Sequence, residues 1–182
     1  MLQLWPCCGQ LQVVLGLARR AKRSRADVRD RGSLLLLWML IIASTMAGSM
    51  LRGRAAALSI RGEWALAISL VLLVGGLAIR ATAILTLGRF FTSNVAIQPE
   101  HRVVRTGLYR FIRHPSYLGA LLAFVGLGFL LRNWLSVSLI LVATMIAFLY
   151  RIKVEEAALM ATLGDEYVEY RRSTKRLLPG IY

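Results

Sequence analysis

The chain has 182 residues, 57% of them hydrophobic, and a mean hydropathy of +0.60, more apolar than a soluble domain of this size requires. Its 23 Lys and Arg against 9 Asp and Glu give a formal charge of +14. The basic residues flank apolar runs and form no stripe beside exposed aromatics, so the charge argues against nucleic acid as a partner and for topology signals and headgroup contacts in a lipid bilayer.

Residues 1–32 read as a basic leader at the cytosolic interface. The run 1–17 has no basic n-region and is interrupted by Gln3, Gln10 and Gln12, a poor signal peptide and a better interfacial or poorly ordered segment. Cys7 and Cys8 are adjacent, which suits neither a CxxC metal pair nor a disulfide framework. They read as inert thiols, with palmitoylation as the alternative.

Residues 33–182 read as one membrane domain. The stretch 33–51 carries no charge and is long enough, at about 1.5 Å per residue, to cross a hydrocarbon core of roughly 30 Å. A second span covers 64–87 and is broken only by Arg80, which the composition predicts to snorkel toward the headgroups. Two further runs, 116–131 and 134–150, are separated only by Arg132 and Asn133, the pattern of a helical hairpin. Gly119, Gly126 and Gly128 allow close helix approach in lipid.

Orientation follows from Lys and Arg. Seven precede the first span (Arg19, Arg20, Lys22, Arg23, Arg25, Arg29, Arg31), five lie between the second and third (Arg89, Arg102, Arg105, Arg110, Arg113), and six follow the fourth (Arg151, Lys153, Arg171, Arg172, Lys175, Arg176). The opposite side holds Arg52, Arg54, Arg61 and Arg132. Both termini and the 88–115 loop are therefore expected in the cytosol. The tail 151–182 carries Glu155, Glu156, Leu159 and Leu163 at helical spacing, with Gly164 as a stop. A short helix should follow, N-capped by Asp165, with Tyr167, Tyr170, Arg171 and Thr174 on one face and Pro179 at its end.

Two polar clusters return to one side of the membrane. At the first, Pro115 should open the third helix, leaving the amides of Ser116 and Tyr117 to attract an anionic group; an ordinary helix start with Arg113 and His114 solvated is the plainer alternative. At the second, Arg151 and Glu155 share a helix face as the fourth span emerges. They either form an intrahelical pair or close one pocket with Arg113 and His114. His101 is the other of the chain's 2 histidines; it has no clustered ligands around it, and no metal is expected.

The segments TGLYRFIRHPSYLG at 106–119 and VEEAALMATLGDEYVEYRR at 154–172, with the spacing between them, resemble the isoprenylcysteine carboxyl methyltransferase family over about the last half of the chain. Phospholipid N-methyltransferases share the general pattern. The resemblance implies an all-α membrane fold of about four transmembrane helices, with a C-terminal cytosolic helical tail completing a pocket for S-adenosylmethionine. It also implies cofactor contacts at His101, Arg102, Val103, Val104, Tyr109, His114, Pro115, Ser116, Tyr117 and Glu155, and a substrate-facing, catalytic arginine at Arg151. The family's upstream glutamine has its nearest match in Gln98.

The activity expected is methyl transfer from S-adenosylmethionine to an amphipathic acceptor, small and lipid-like or prenylated, through a carboxylate. The competing readings are a related membrane enzyme acting on an amine, phenol or thiol, a nicotinamide-dependent reductase of similar architecture, and a non-catalytic assembly protein. No Gly-rich dinucleotide fingerprint supports the reductase. The use of 20 Arg against 3 Lys points to a GC-rich bacterial genome and so to a bacterial inner membrane.

Overall fold

The computed structural model describes residues 27–28, 32–51, 58–91, 96–97 and 103–177. Cys7, Cys8, Gln98, His101, Arg102 and Pro179 lie outside them. The described chain forms five α-helices: α1 (Ser33–Leu51), α2 (Trp64–Leu87), α3 (Pro115–Leu130), α4 (Trp134–Leu163) and α5 (Asp165–Ser173). Two 3-10 turns, Gly88–Phe90 and Gly107–Arg110, lie between α2 and α3. A short antiparallel ladder pairs β1 (Asp27–Val28) with β2 (Ala96–Ile97), setting Asp27 opposite Ile97.

Helices α1, α2 and α4 are each long and apolar enough to cross a membrane. Helix α3 is also apolar but has 16 residues, which at about 1.5 Å each reach roughly 24 Å. Helix α4 has 30 residues and reaches roughly 45 Å, longer than a hydrocarbon core of about 30 Å. Its C-terminal turns carry the charged residues Arg151, Lys153, Glu155 and Glu156.

Local sequence explains where these helices begin and end. Pro115 is the first residue of α3, where its missing N–H is no loss. Asn133 caps α4 through Oδ1, which accepts from the amides of Leu135 (2.9 Å) and Ser136 (3.3 Å). Gly164 ends α4 with a positive φ of 55° and donates its amide to the Met160 carbonyl. The same glycine occupies the N-cap position of α5. Asp165, expected in that role, is instead the first helical residue, where its charge still complements the helix dipole.

Packing follows two axes, α2 along α3 and α1 along α4, with α3 and α4 in contact between them. The α2–α3 crossing brings backbone against backbone. A β-carbon added at Gly76 would stand 2.5 Å from the Gly119 carbonyl oxygen, and one at Gly119 would stand 2.5 Å from the Gly76 carbonyl oxygen. Deeper along the pair, Gly126 meets the Ser69 carbonyl, and Ser69 Oγ donates to the Gly126 carbonyl at 2.8 Å. On the other axis Ser136 Oγ donates to the Gly48 carbonyl at 2.8 Å. Small residues at these crossings replace the hydrophobic driving force that lipid does not supply. Residues such as Leu35, Ile42 and Met46 on α1 and Val71 and Leu85 on α2 remain exposed, as suits helices whose solvent is hydrocarbon.

Because the α2–α3 contact has no room for a methyl group, Gly119→Ala should force the helices apart and cost about 1–3 kcal/mol. Thermal unfolding in detergent should show the loss. Gly75→Ala is the control, since a β-carbon there meets nothing within 4 Å.

Candidate active site

At the end where α3 begins and the charged turns of α4 lie, the helices enclose a cavity of about 570 Å3, within the range of small-molecule sites. Its deep walls are apolar: Leu37 and Ile41 of α1, Leu73 and Leu77 of α2, and Phe124 and Leu127 of α3. Its other end is polar and includes Arg80, Tyr109, His114, Tyr117, Arg151 and Glu155. The site is therefore amphipathic along its length.

The two polar clusters foreseen from the sequence meet here, and Tyr117 joins them. Its hydroxyl donates to Glu155 Oε2 at 2.7 Å and accepts from Arg151 Nε at 3.1 Å. Arg151 is buried, and its Nη1 donates to Ser33 Oγ at 2.8 Å. Val103 and Val104 contribute to the cavity wall, as do Ser116 and Tyr109, and Pro115 is buried at the head of α3. Of the remaining family-implied positions, His101 and Arg102 fall outside the described residues.

Glu156, which the sequence did not single out, organises the surrounding shell. Successive helical residues point about 100° apart, so while Glu155 faces the cavity its neighbour turns into protein. Glu156 Oε1 accepts from Arg113 Nε at 2.9 Å and Oε2 from Arg176 Nη2 at 3.0 Å. His114 Nε2 approaches Oε1 at 3.5 Å, in ion-pair range but without an aligned hydrogen bond. Arg113 Nη1 reaches the Arg171 carbonyl at 3.1 Å and also bonds the Thr174 carbonyl. The backbone ties run the same way: the amides of Arg113 and His114 donate to the carbonyls of Lys175 and Arg176, and Lys175 donates to Phe111. Leu177 then anchors the C-terminal strap in the core beside Phe148 and Ile152.

Three expectations are corrected. Arg80 does not snorkel. It lies four residues beyond Gly76, on the face that crosses α3, and its Nη1 stands 3.3 Å from both the carbonyl and the hydroxyl oxygen of Ser116. Of the two first-turn amides of α3 expected to attract an anion, that of Tyr117 is already engaged, donating to the His114 carbonyl at 3.1 Å. Arg113 and His114 are likewise not solvated; both side chains are buried against Glu156.

The tyrosines of the polar end are held neutral. Burial raises Tyr109 first, and Glu155 adds to it. Burial raises Tyr167, reinforced by Glu156 and Glu155. Tyr170 is pushed up to about 12 by burial against the opposing pull of Arg113 and Arg105, while its hydroxyl donates to the Tyr109 carbonyl at 2.7 Å. These phenols are hydrogen-bond donors and ring surfaces, not bases. Among the described residues no three His, Cys, Asp or Glu side chains stand close enough to hold a metal ion.

A helical membrane protein with an amphipathic cavity at one end of its spans is the class that this geometry defines. Residues 67–161 match the model of the isoprenylcysteine carboxyl methyltransferase (ICMT) family, and the chain belongs to that family and is an integral membrane protein. It is 36% identical over 118 residues to protein-S-isoprenylcysteine O-methyltransferase B of Arabidopsis thaliana, covering 64% of this chain and 60% of that one. It is 34% identical over 106 residues to protein-S-isoprenylcysteine O-methyltransferase of Schizosaccharomyces pombe, covering 57% and 45%. The chain thus spans well under two thirds of these relatives. The structure of a eukaryotic intramembrane Ras methyltransferase, isoprenylcysteine carboxyl methyltransferase, aligns with a TM-score of 0.66 at 27% identity over 79% of this chain and 52% of that one.

Removing one partner of a buried ion pair strands the other charge, so Glu156→Ala should destabilise the protein by about 3–5 kcal/mol. Glu169→Ala, which breaks the exposed pair with Arg105, should cost about 1 kcal/mol at most. Chemical unfolding of the two variants against wild type measures the contrast.

Proposed function

We propose that the protein transfers a methyl group from S-adenosylmethionine to the carboxylate of a lipid-like or prenylcysteine-like acceptor at the cytosolic face of a membrane. The observation that carries this reading is the hydrogen-bonded series Arg151, Tyr117, Glu155 set at the mouth of an apolar cavity. A cation and a carboxylate are held within one side chain of each other where an apolar tail and a polar head can be accommodated together.

The residues present fit the cofactor. The polar end offers a partly exposed carboxylate at Glu155 and neutral tyrosine rings. One buried polar atom there, Tyr167 Oη, lacks a hydrogen-bond partner among the described residues. Glu155, Tyr109, Val103, Val104 and the 114–117 corner would hold the cofactor, and the family resemblance extends the set to His101 and Arg102. When bound, S-adenosylmethionine supplies a methyl group on a positively charged sulfur.

Arg151 orients the acceptor carboxylate by charge-assisted hydrogen bonds, and Arg80 lines the same cavity as a second cation. A carboxylate is already ionised near neutral pH, so no general base is needed, in keeping with tyrosines that stay protonated. Were the cofactor bound there, the methyl group it supplies would pass to the acceptor carboxylate with loss of its bond to sulfur, and the opposite charges of the two groups would cancel. Burial of the site favours that cancellation and supplies orientation. An amine acceptor would be repelled by Arg151.

In this reading α3 is the third of four spans and α4 up to Tyr150 the fourth, α4 beyond Tyr150 and α5 form the cytosolic tail, both termini are cytosolic, and the membrane is a bacterial inner membrane. The acceptor's tail lies along the apolar walls of α1, α2 and α3.

Titration calorimetry of the detergent-solubilised protein with S-adenosylhomocysteine should show binding, and no heat from folded wild type would remove every methyltransferase reading. Glu155→Ala should weaken that binding about tenfold or more, the loss of a charged hydrogen-bond partner. Arg151→Ala should leave cofactor affinity within a few-fold of wild type and chiefly raise the KM for an acidic acceptor. An equal loss of both parameters in both variants would point to misfolding.

A further inference from the structure

Tyr117 stands between two residues to which the proposed reaction gives different tasks. Its hydroxyl gives its only proton to Glu155 and receives one from Arg151. The ring has little freedom to turn: it lies 5.6 Å from the His114 ring and 5.4 Å from the Phe148 ring, centre to centre, and its α3 turn is fixed by the His114 carbonyl. Arg151 is held at a second point by Ser33. A change in the orientation of Glu155 is therefore transmitted to the guanidinium through one oxygen atom.

We propose that Tyr117 is a positioning residue that couples the cofactor subsite at Glu155 to the acceptor subsite at Arg151, so that filling either one strengthens binding at the other. The proposal rests on the methyltransferase reading above. A phenol that donates to a carboxylate becomes a better acceptor, because hydrogen bonds in a chain polarise one another. Fixing Glu155 with a ligand fixes the Tyr117 proton toward it and leaves the oxygen lone pairs to Arg151 Nε. The guanidinium is then held with its remaining N–H groups in one orientation before the acceptor arrives. Ordering met at the first binding event is not met again at the second. Linkage makes the effect reciprocal and of equal size from either side.

The test is a set of calorimetric titrations of S-adenosylhomocysteine, with and without saturating S-farnesylcysteine, a lipid thioether acid that cannot be methylated by the demethylated cofactor. Wild type should bind S-adenosylhomocysteine about fivefold more tightly or better when the acid is present. Tyr117→Phe keeps the ring contacts with His114 and Phe148, and its ratio of affinities should fall to near unity. Arg151→Lys supplies a second arm: the lysine keeps a positive charge for the acceptor but has no Nε–H to offer Tyr117, and it too should lose the coupling. A wild-type ratio of unity, or a full ratio retained in folded Tyr117→Phe, overturns the proposal while leaving the enzyme reading intact. Failure of wild type to bind S-adenosylhomocysteine at all removes that reading as well, so the two failures are distinct.

Discussion

The buried carboxylate of Glu156 holds the polar end of the molecule together. Its two oxygens receive Arg113 from the loop before α3 and Arg176 from the C-terminal strap, three segments far apart in the chain. Two charges removed from water are stable only where geometry and further hydrogen bonds satisfy them. Here Arg113 answers that demand by also binding the carbonyls of Arg171 and Thr174. The result is a rigid collar behind the cavity. Because Glu156 supports the corner at 113–117 from behind, Glu155 and Tyr117 can present their polar atoms inward.

Lipid imposes the complementary constraint at the other end. Within hydrocarbon, helices gain little by hiding apolar surface, and close backbone contact decides which pairs associate. The Gly76–Gly119 and Gly126–Ser69 contacts lock α2 to α3, and Ser136 with Gly48 locks α1 to α4. Since α1 and α2 are committed to different partners, side chains between them, such as Leu37, Ile41, Leu73 and Leu77, line space instead of filling it. The same crossing that closes α2 on α3 carries Arg80 to Ser116 one turn later. An arginine within a hydrophobic run is thereby given a protein environment.

Much of the helical framework was legible because its signals are local. Uncharged runs, Pro115, Asn133 and Gly164 each act through the residues beside them, and the glycines of α3 announced a close approach without naming the partner. What remained hidden was direction. Adjacent glutamates differ by about 100° around a helix, and no composition reveals which of Glu155 and Glu156 faces a cavity. The fate of Arg80 depended on the rotation of α2 about its axis, set by Gly76 against Gly119 across a loop. The Tyr117 amide looked free because the sequence could not show that the His114 carbonyl would accept it. The strap 174–177 gave no periodic signal, since it is held by backbone bonds to 111–114, by the Arg176–Glu156 pair and by Leu177 in the core.

The paired glutamates therefore divide two kinds of work that a single residue could not perform. A carboxylate that ties three segments together must be buried, fully paired and immobile; one that meets a ligand must be accessible and able to exchange partners. Glu156 is 4% exposed at its side chain and Glu155 32%, and the difference follows from their placement one residue apart on the charged turns of α4. Moving the pair one turn deeper would bury both charges in hydrocarbon, and moving it one turn outward would separate both from α3. The distance of the pair along α4 from the Asn133 cap thus fixes where along the helix the cavity changes from apolar to polar.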